Sequence, residues 1–63
     1  MPKISLASAR KNANLTQAQV ADALNVSRST IVNWENGNTF PKQPAIEKMC
    51  ELYGVPYDYI RFE

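Results

Sequence analysis

Only three residues, Asn25, Val26 and Ser27, separate two stretches of helical character, and this tight break constrains the fold more than any other part of the sequence. Upstream of it, Thr16-Gln17-Ala18-Gln19 is a Thr-x-x-Gln capping box, in which each terminal side chain can satisfy an otherwise unpaired N–H at a helix start. Val20, Ala21 and Leu24 follow at helical spacing. Asn25 stops that helix, because after glycine asparagine most readily takes the left-handed conformation. Val26 covers the apolar side of the turn, and Ser27 is a good N-cap for a second helix running to about Glu35. Ile31 and Trp34, three apart, share one face of this helix, while Arg28, Ser29, Thr30 and Asn33 lie on others. Gly37 supplies the left-handed residue that ends it.

The remaining segments also read as helices. From about Ser5 to Asn12, Leu6, Ala9 and Ala13 form one face behind a Ser5 N-cap. After Pro41, Pro44 fits the first turn of a fourth helix, where its missing N–H is not needed. Ile46, Met49, Cys50 and Tyr53 then make an apolar stripe that Gly54 terminates. Pro56 opens a last short helix, with Asp58 near its positive end and Tyr57, Ile60 and Phe62 turned inward. Strand-like alternation is absent. The expected architecture is all-α: one domain over residues 1–63, a compact bundle of five short helices without a sheet.

A chain of 63 residues removes only about 60% of its unfolded surface from water, so two-domain enzymes are excluded. At 44% hydrophobic residues it is too apolar for a disordered linker. There is no histidine, which excludes the usual Cys/His zinc sites and histidine acid–base catalysis, and the lone Cys50 cannot close an internal disulfide. Neither a metal nor any cofactor is expected, and no small-molecule ligand is evident. No apolar run of about 18 residues could span a bilayer, and no signal peptide is recognisable, so a cytoplasmic location without membrane contact is expected. Charge is uneven: five basic against two acidic residues through Lys42 give +3, and two against four beyond it give −2. A cationic first part suits a polyanion.

A three- to four-residue turn between two short capped helices is the helix-turn-helix corner. The residues off the apolar face of its second helix, Arg28, Ser29, Thr30 and Asn33, can all donate hydrogen bonds and none is negative, which is what a helix entering the major groove needs. The whole run from Leu15 to Gly37, with its Leu-Thr-Gln opening, Val-Ser-Arg-Ser-Thr-Ile entry and Trp-Glu-Asn-Gly exit, resembles the helix-turn-helix of the Xre family, which includes the lambdoid phage repressors and Cro proteins. Pro41, Leu52-Tyr53-Gly54-Val55 and the Pro-Tyr-Asp-Tyr-Ile ending fit the same pattern, so the resemblance spans roughly residues 4 to 62.

The resemblance implies a bacterial or phage-encoded, nucleoid-associated transcriptional regulator, a repressor in the simplest case, that binds double-stranded operator DNA as a homodimer. It implies base-edge contacts from Arg28, Ser29 and Asn33. Arginine forks onto guanine and asparagine onto adenine, which makes Arg28 the leading candidate. Gln17 would hold a phosphate and brace the reading helix; Ser27 and Thr30 would lie nearer the backbone, which the loop of Asn36, Gly37 and Asn38, with Lys42 beyond, would grip. Arg10 and Glu35 correspond to a structural ion pair between the first and third helices. Val55, Tyr57, Tyr59 and Phe62 form the candidate dimer interface.

The sequence departs from the family pattern at Asn25, where glycine is usual, and at Lys42 and Gln43, where a small capping residue and an apolar one are common. These last two leave the start of the fourth helix open. Trp34 is expected to pack against the fourth helix and Cys50 to be a small core residue, while at least one C-terminal tyrosine, with Phe62, should be exposed. The rival reading is a protein-interaction module, an antitoxin or adaptor, on the same fold. An enzyme is disfavoured by the size of the chain and the lack of clustered carboxylates.

Overall fold

The four α-helices among the described residues all end in the same backbone device. In the computed structural model, which describes residues 3–62, the order is β1 (Ile4–Ser5), α1 (Leu6–Asn12), α2 (Gln17–Leu24), α3 (Arg28–Asn36), α4 (Gln43–Tyr53), a 3-10 turn (Tyr57–Tyr59) and β2 (Ile60–Arg61). Residues 1, 2 and 63 of the expected domain lie outside the described residues. Just past each α-helix stands a left-handed residue: Asn14 and Asn25 at φ 59°, Gly37 at 78° and Gly54 at 67°. The N–H of the following residue reaches five positions back, Leu15 to Arg10, Val26 to Ala21, Asn38 to Asn33 and Val55 to Cys50, at 2.9–3.2 Å. This Schellman closure satisfies carbonyls that a helix end leaves orphaned.

Side chains set three of the four starts. Ser5 Oγ accepts from the Ser8 N–H at 3.1 Å, and Ser27 Oγ from the Thr30 N–H at 3.2 Å. At α2 the capping box is complete, with the Gln19 N–H on Thr16 Oγ1 at 3.0 Å and the Thr16 N–H on Gln19 Oε1 at 2.8 Å. The fourth helix begins at Gln43 behind Lys42, which makes no side-chain cap, and Pro44 sits in its first turn.

These elements enclose one core. Leu6 and Ala9 of α1, Val20 and Ala21 of α2, Ile31 of α3, Met49 and Tyr53 of α4, and Ile60 of β2 are buried. Trp34, Leu15, Leu24, Val26, Leu52 and Val55 pack around them. Of the expected stripe on α4, Met49 and Tyr53 are buried, Cys50 is half-buried at the core's edge, and Ile46 is half-buried outside it. Burial pushes the Cys50 thiol pKa up.

The expectation of five helices without a sheet is corrected at the C-terminus. The last segment forms one 3-10 turn and then extends, and β2 pairs in parallel with β1, Ile4 opposite Ile60 and Ser5 opposite Arg61. Extension sends successive side chains to opposite sides, so Ile60 is buried and Arg61 exposed. Tyr57, expected inward, is 53% exposed and stacks on Phe62 at a centroid distance of 5.6 Å. A single 3-10 turn is too short to carry it back over the core.

Arg10 joins the helices through polar contacts inside this shell. Its Nε donates to Glu35 Oε2 at 2.7 Å and its Nη2 to Glu35 Oε1 at 3.3 Å, while Nη1 donates to the Leu15 carbonyl at 2.8 Å. The two side chains are only 10% and 6% exposed. Arg10→Met should therefore lower stability by about 3–5 kcal/mol in urea unfolding, because it strands a buried carboxylate. Arg10→Met with Glu35→Leu should recover much of that loss; a double variant as weak as the single one would contradict the stranded-charge account.

Tyr53 gives a pH prediction. Burial raises its phenol from 10.0 to about 12, with the Glu35 carboxylate pushing the same way and the Arg10 guanidinium opposing. The folded chain then holds a proton that the unfolded chain releases, so this contribution is intact below pH 10 and is lost as pH rises towards 12. Urea midpoints measured across that window should fall less steeply for Tyr53→Phe than for the parent chain.

Candidate nucleic-acid interface

The capped corner between α2 and α3 decides which side chains of α3 are available. Asn25 at φ 59° and the Ser27 cap turn the chain sharply, and Ile31, Trp34 and Glu35 point α3 into the molecule. On the other side of the helix Arg28 and Ser29 are exposed and Asn33 is half-buried; together with Val32 they line one open hollow of about 540 Å³. Val32, which carries no side-chain hydrogen-bond donor, is not among the residues expected at this face. Its position, three and four residues from Ser29 and Arg28, was the available signal.

At the entry to α3 the Ser27 and Thr30 hydroxyls lie 2.9 Å apart, in addition to the cap on the Thr30 N–H. One hydroxyl proton is used within that pair, which leaves one to donate outward. At the helix exit, Asn38 Nδ2 donates to Asn33 Oδ1 at 3.3 Å. The loop residue thus orients the amide of a candidate base-reading residue, and the bond leaves the Asn33 Nδ2 group free to donate elsewhere. Gly37, at φ 78°, is what brings Asn38 back within reach.

Gln17 stands at the first position of α2 and donates from Nε2 to Glu35 Oε1 at 3.0 Å. The structure therefore ties it to the end of α3. The capping box uses the N–H groups of Thr16 and Gln19, and those of Gln17 and Ala18 remain as first-turn donors. Glu35, the one acidic residue of α3, is held by Arg10 and Gln17 together. Asn36, Asn38 and Lys42 are exposed around the α3–α4 loop, and Gly37 is half-buried.

Trp34 lies between α2 and α4, lining an apolar hollow of about 650 Å³ with Ala23, Leu24, Pro44 and Ala45, and Phe40 beside it is 61% exposed. Val55 and Tyr59 are half-buried, and Tyr57 and Phe62 stack on either side of β2, the strand that pairs with β1. No helix among the described residues is long and apolar enough to cross a membrane.

Comparison with known proteins bears on this corner directly. The family profile described as helix-turn-helix matches residues 6–60. The chain is 37% identical over 49 residues to the HTH-type transcriptional activator BcrR of Enterococcus faecalis, covering 78% of this chain and 24% of that protein. It is 36% identical over 47 residues to the cryptic phage CTXphi transcriptional repressor RstR of Vibrio cholerae, covering 75% and 42%. Against the HTH-type transcriptional regulator ImmR of Bacillus subtilis (strain 168) it is 33% identical over 55 residues, covering 87% and 43%. The chain thus spans less than half the length of each of these relatives. No solved structure matches it. The matched span contains the whole α2–α3 corner and the core around it, and the chain belongs to the helix-turn-helix family of Xre, Cro and lambda-repressor-like domains.

Proposed function

We propose that this chain binds double-stranded DNA sequence-specifically, with α3 in the major groove, and acts as a transcriptional regulator in the cytoplasm. The observation that carries the reading is the outward face of α3: Arg28, Ser29 and Asn33 offer donors, and the helix's only carboxylate is locked inward by Arg10. Arg28 reads guanine, and Asn33, steadied by Asn38, presents its amide to a base edge, with Ser29 between them. Gln17, Ser27, Thr30, Asn36, Gly37, Asn38 and Lys42 hold the phosphates on either side and set the register. The chain works as a DNA-binding protein and not as an enzyme.

Two copies bind a two-fold-symmetric operator. The longest dimension of the described chain is 31 Å, less than the spacing of about 34–36 Å between half-sites one helical turn apart, so a palindromic site requires two copies. The net charge of +1 makes binding by one copy weak and salt-sensitive, and pairing raises the effective concentration of the second. Val55, Tyr57, Tyr59 and Phe62 supply the contact between copies, the exposed Tyr57 ring stacked on the half-buried Phe62 being an apolar patch suited to a partner surface. Repression is the simplest output, since occupancy of a promoter is enough for it, and one similar protein is named a repressor.

Selection from a random duplex library at low salt, then titration of the enriched site across a salt series, tests this reading. A two-fold-symmetric site with a steep salt slope, and sedimentation of two copies on it, are the expected results. Absence of any enriched duplex would overturn the proposal in favour of a protein-interaction module, and a single copy on the DNA would overturn the dimer.

The roles of individual residues separate in the same assay. Arg28→Ala should cost about 1–3 kcal/mol on the best site and relax preference at one base position. Asn36→Ala should weaken binding evenly on all sequences. An even loss for Arg28→Ala, or an altered preference for Asn36→Ala, would reverse those assignments.

A further inference from the structure

Val32 is half-buried, yet it is the one apolar residue of α3 that lies outside both the core and the residues packed on it. Ile31 is 1% exposed, Trp34 packs against the core and Glu35 pairs with Arg10, so the inward face is filled without Val32. Val32 belongs neither to the buried cluster nor to the apolar residues packed around it, and it lines the same open hollow as Arg28, Ser29 and Asn33. At an outward helix position a β-branched residue is a poorer choice than alanine, lysine or glutamine, because the preceding turn restricts its χ1.

That same restriction makes it useful for recognition. In a helix a valine side chain holds one χ1 rotamer about 90% of the time, so its two methyl groups are already fixed before a ligand arrives. Resting on the proposal that α3 enters the major groove, we infer that Val32 reads a thymine through its 5-methyl group. That methyl is the apolar feature of the base edges exposed there, and apolar side chains recognise it by contact. Neighbouring residues on a helix face lie about 5–6 Å apart and base steps about 3.4 Å. The thymine therefore falls within about two steps of the bases faced by Arg28 and Asn33. Ser29, short and polar beside it, leaves the methyl room to approach.

The inference is tested by replacing each thymine of the selected site, one at a time, with deoxyuridine, which removes the methyl group and keeps every hydrogen-bonding atom. The unaltered protein should lose roughly fourfold in affinity at one position of each half-site, the effect of one buried methyl group. Val32→Ala should bind thymine and uracil equally at that position, and its thermal melt should match the parent because the side chain lies outside the core. The inference is overturned if no thymine of the site is sensitive, or if Val32→Ala keeps the parent's thymine-to-uracil ratio. Both outcomes are read on a duplex the protein binds, so they leave sequence-specific binding standing. A protein that enriches no duplex overturns that proposal and this inference together.

Discussion

The Arg10 guanidinium is the junction on which the placement of α3 depends. It bonds both oxygens of Glu35 and the Leu15 carbonyl, and Gln17 completes the shell around Glu35. One buried charge pair thereby connects α1, the α1–α2 turn, the first residue of α2 and the last turn of α3. The planar fork of arginine fits this geometry, whereas a lysine would offer a single point of attachment. The pair also sets the electrostatics of the outward face, since the carboxylate of α3 is neutralised inside the molecule and adds no repulsion towards a polyanion. Against a hydrophobic replacement such a pair adds little net stability. Its effect here is on orientation and on the sign of the field.

Most of what positions the site was legible in the sequence because it is encoded locally. Thr16 with Gln19, Ser27, Asn25, Gly37 and Gly54 each act within a few residues, and each does so in the structure as its side chain or φ angle requires. Asn14 does the same work as Asn25, yet it stands in the run Asn12-Ala13-Asn14, where two asparagines compete for one role. What escaped reading is non-local. The β1–β2 pairing joins Ile4 to Ile60 through strands of two residues, too short to show alternation. Ser5 hid it further, because the residue that caps α1 is also the one opposite Arg61. Val32 carries no side-chain donor or acceptor, so hydrogen-bonding chemistry alone does not mark it.

One local rule is broken near the site. Lys42 occupies the N-cap of α4 without capping it and puts a cation at the positive end of the helix dipole. A serine or aspartate there would satisfy a free N–H and favour the helix by about 1 kcal/mol. Conflicts of this kind gather where function competes with stability. Under the proposed function a phosphate beside Lys42 supplies the missing negative charge, so the uncapped helix start becomes complementary only when DNA is bound. The exposed Phe40, two residues earlier, belongs to the same loop, with the buried Pro41 between them.

Preorganisation connects these features. A chain this small gains little surplus from its core, and affinity would be dissipated if α3 had to be ordered on binding. Its start is fixed by Ser27, its end by Gly37, its back by Ile31 and the Arg10–Glu35 pair, and the Asn33 amide by Asn38. Of the side chains facing outward, Ser29 and Val32 are short and carry little rotamer freedom, and only Arg28 must surrender much of it on contact. The rigid part of the surface suits reading of shape and methyl groups, and the single long side chain suits the strongest hydrogen-bonded pair. Under the proposed function, discrimination rests on a helix held in place before DNA arrives, which would make the buried ion pair, remote from any base, as consequential for specificity as the residues proposed to touch one.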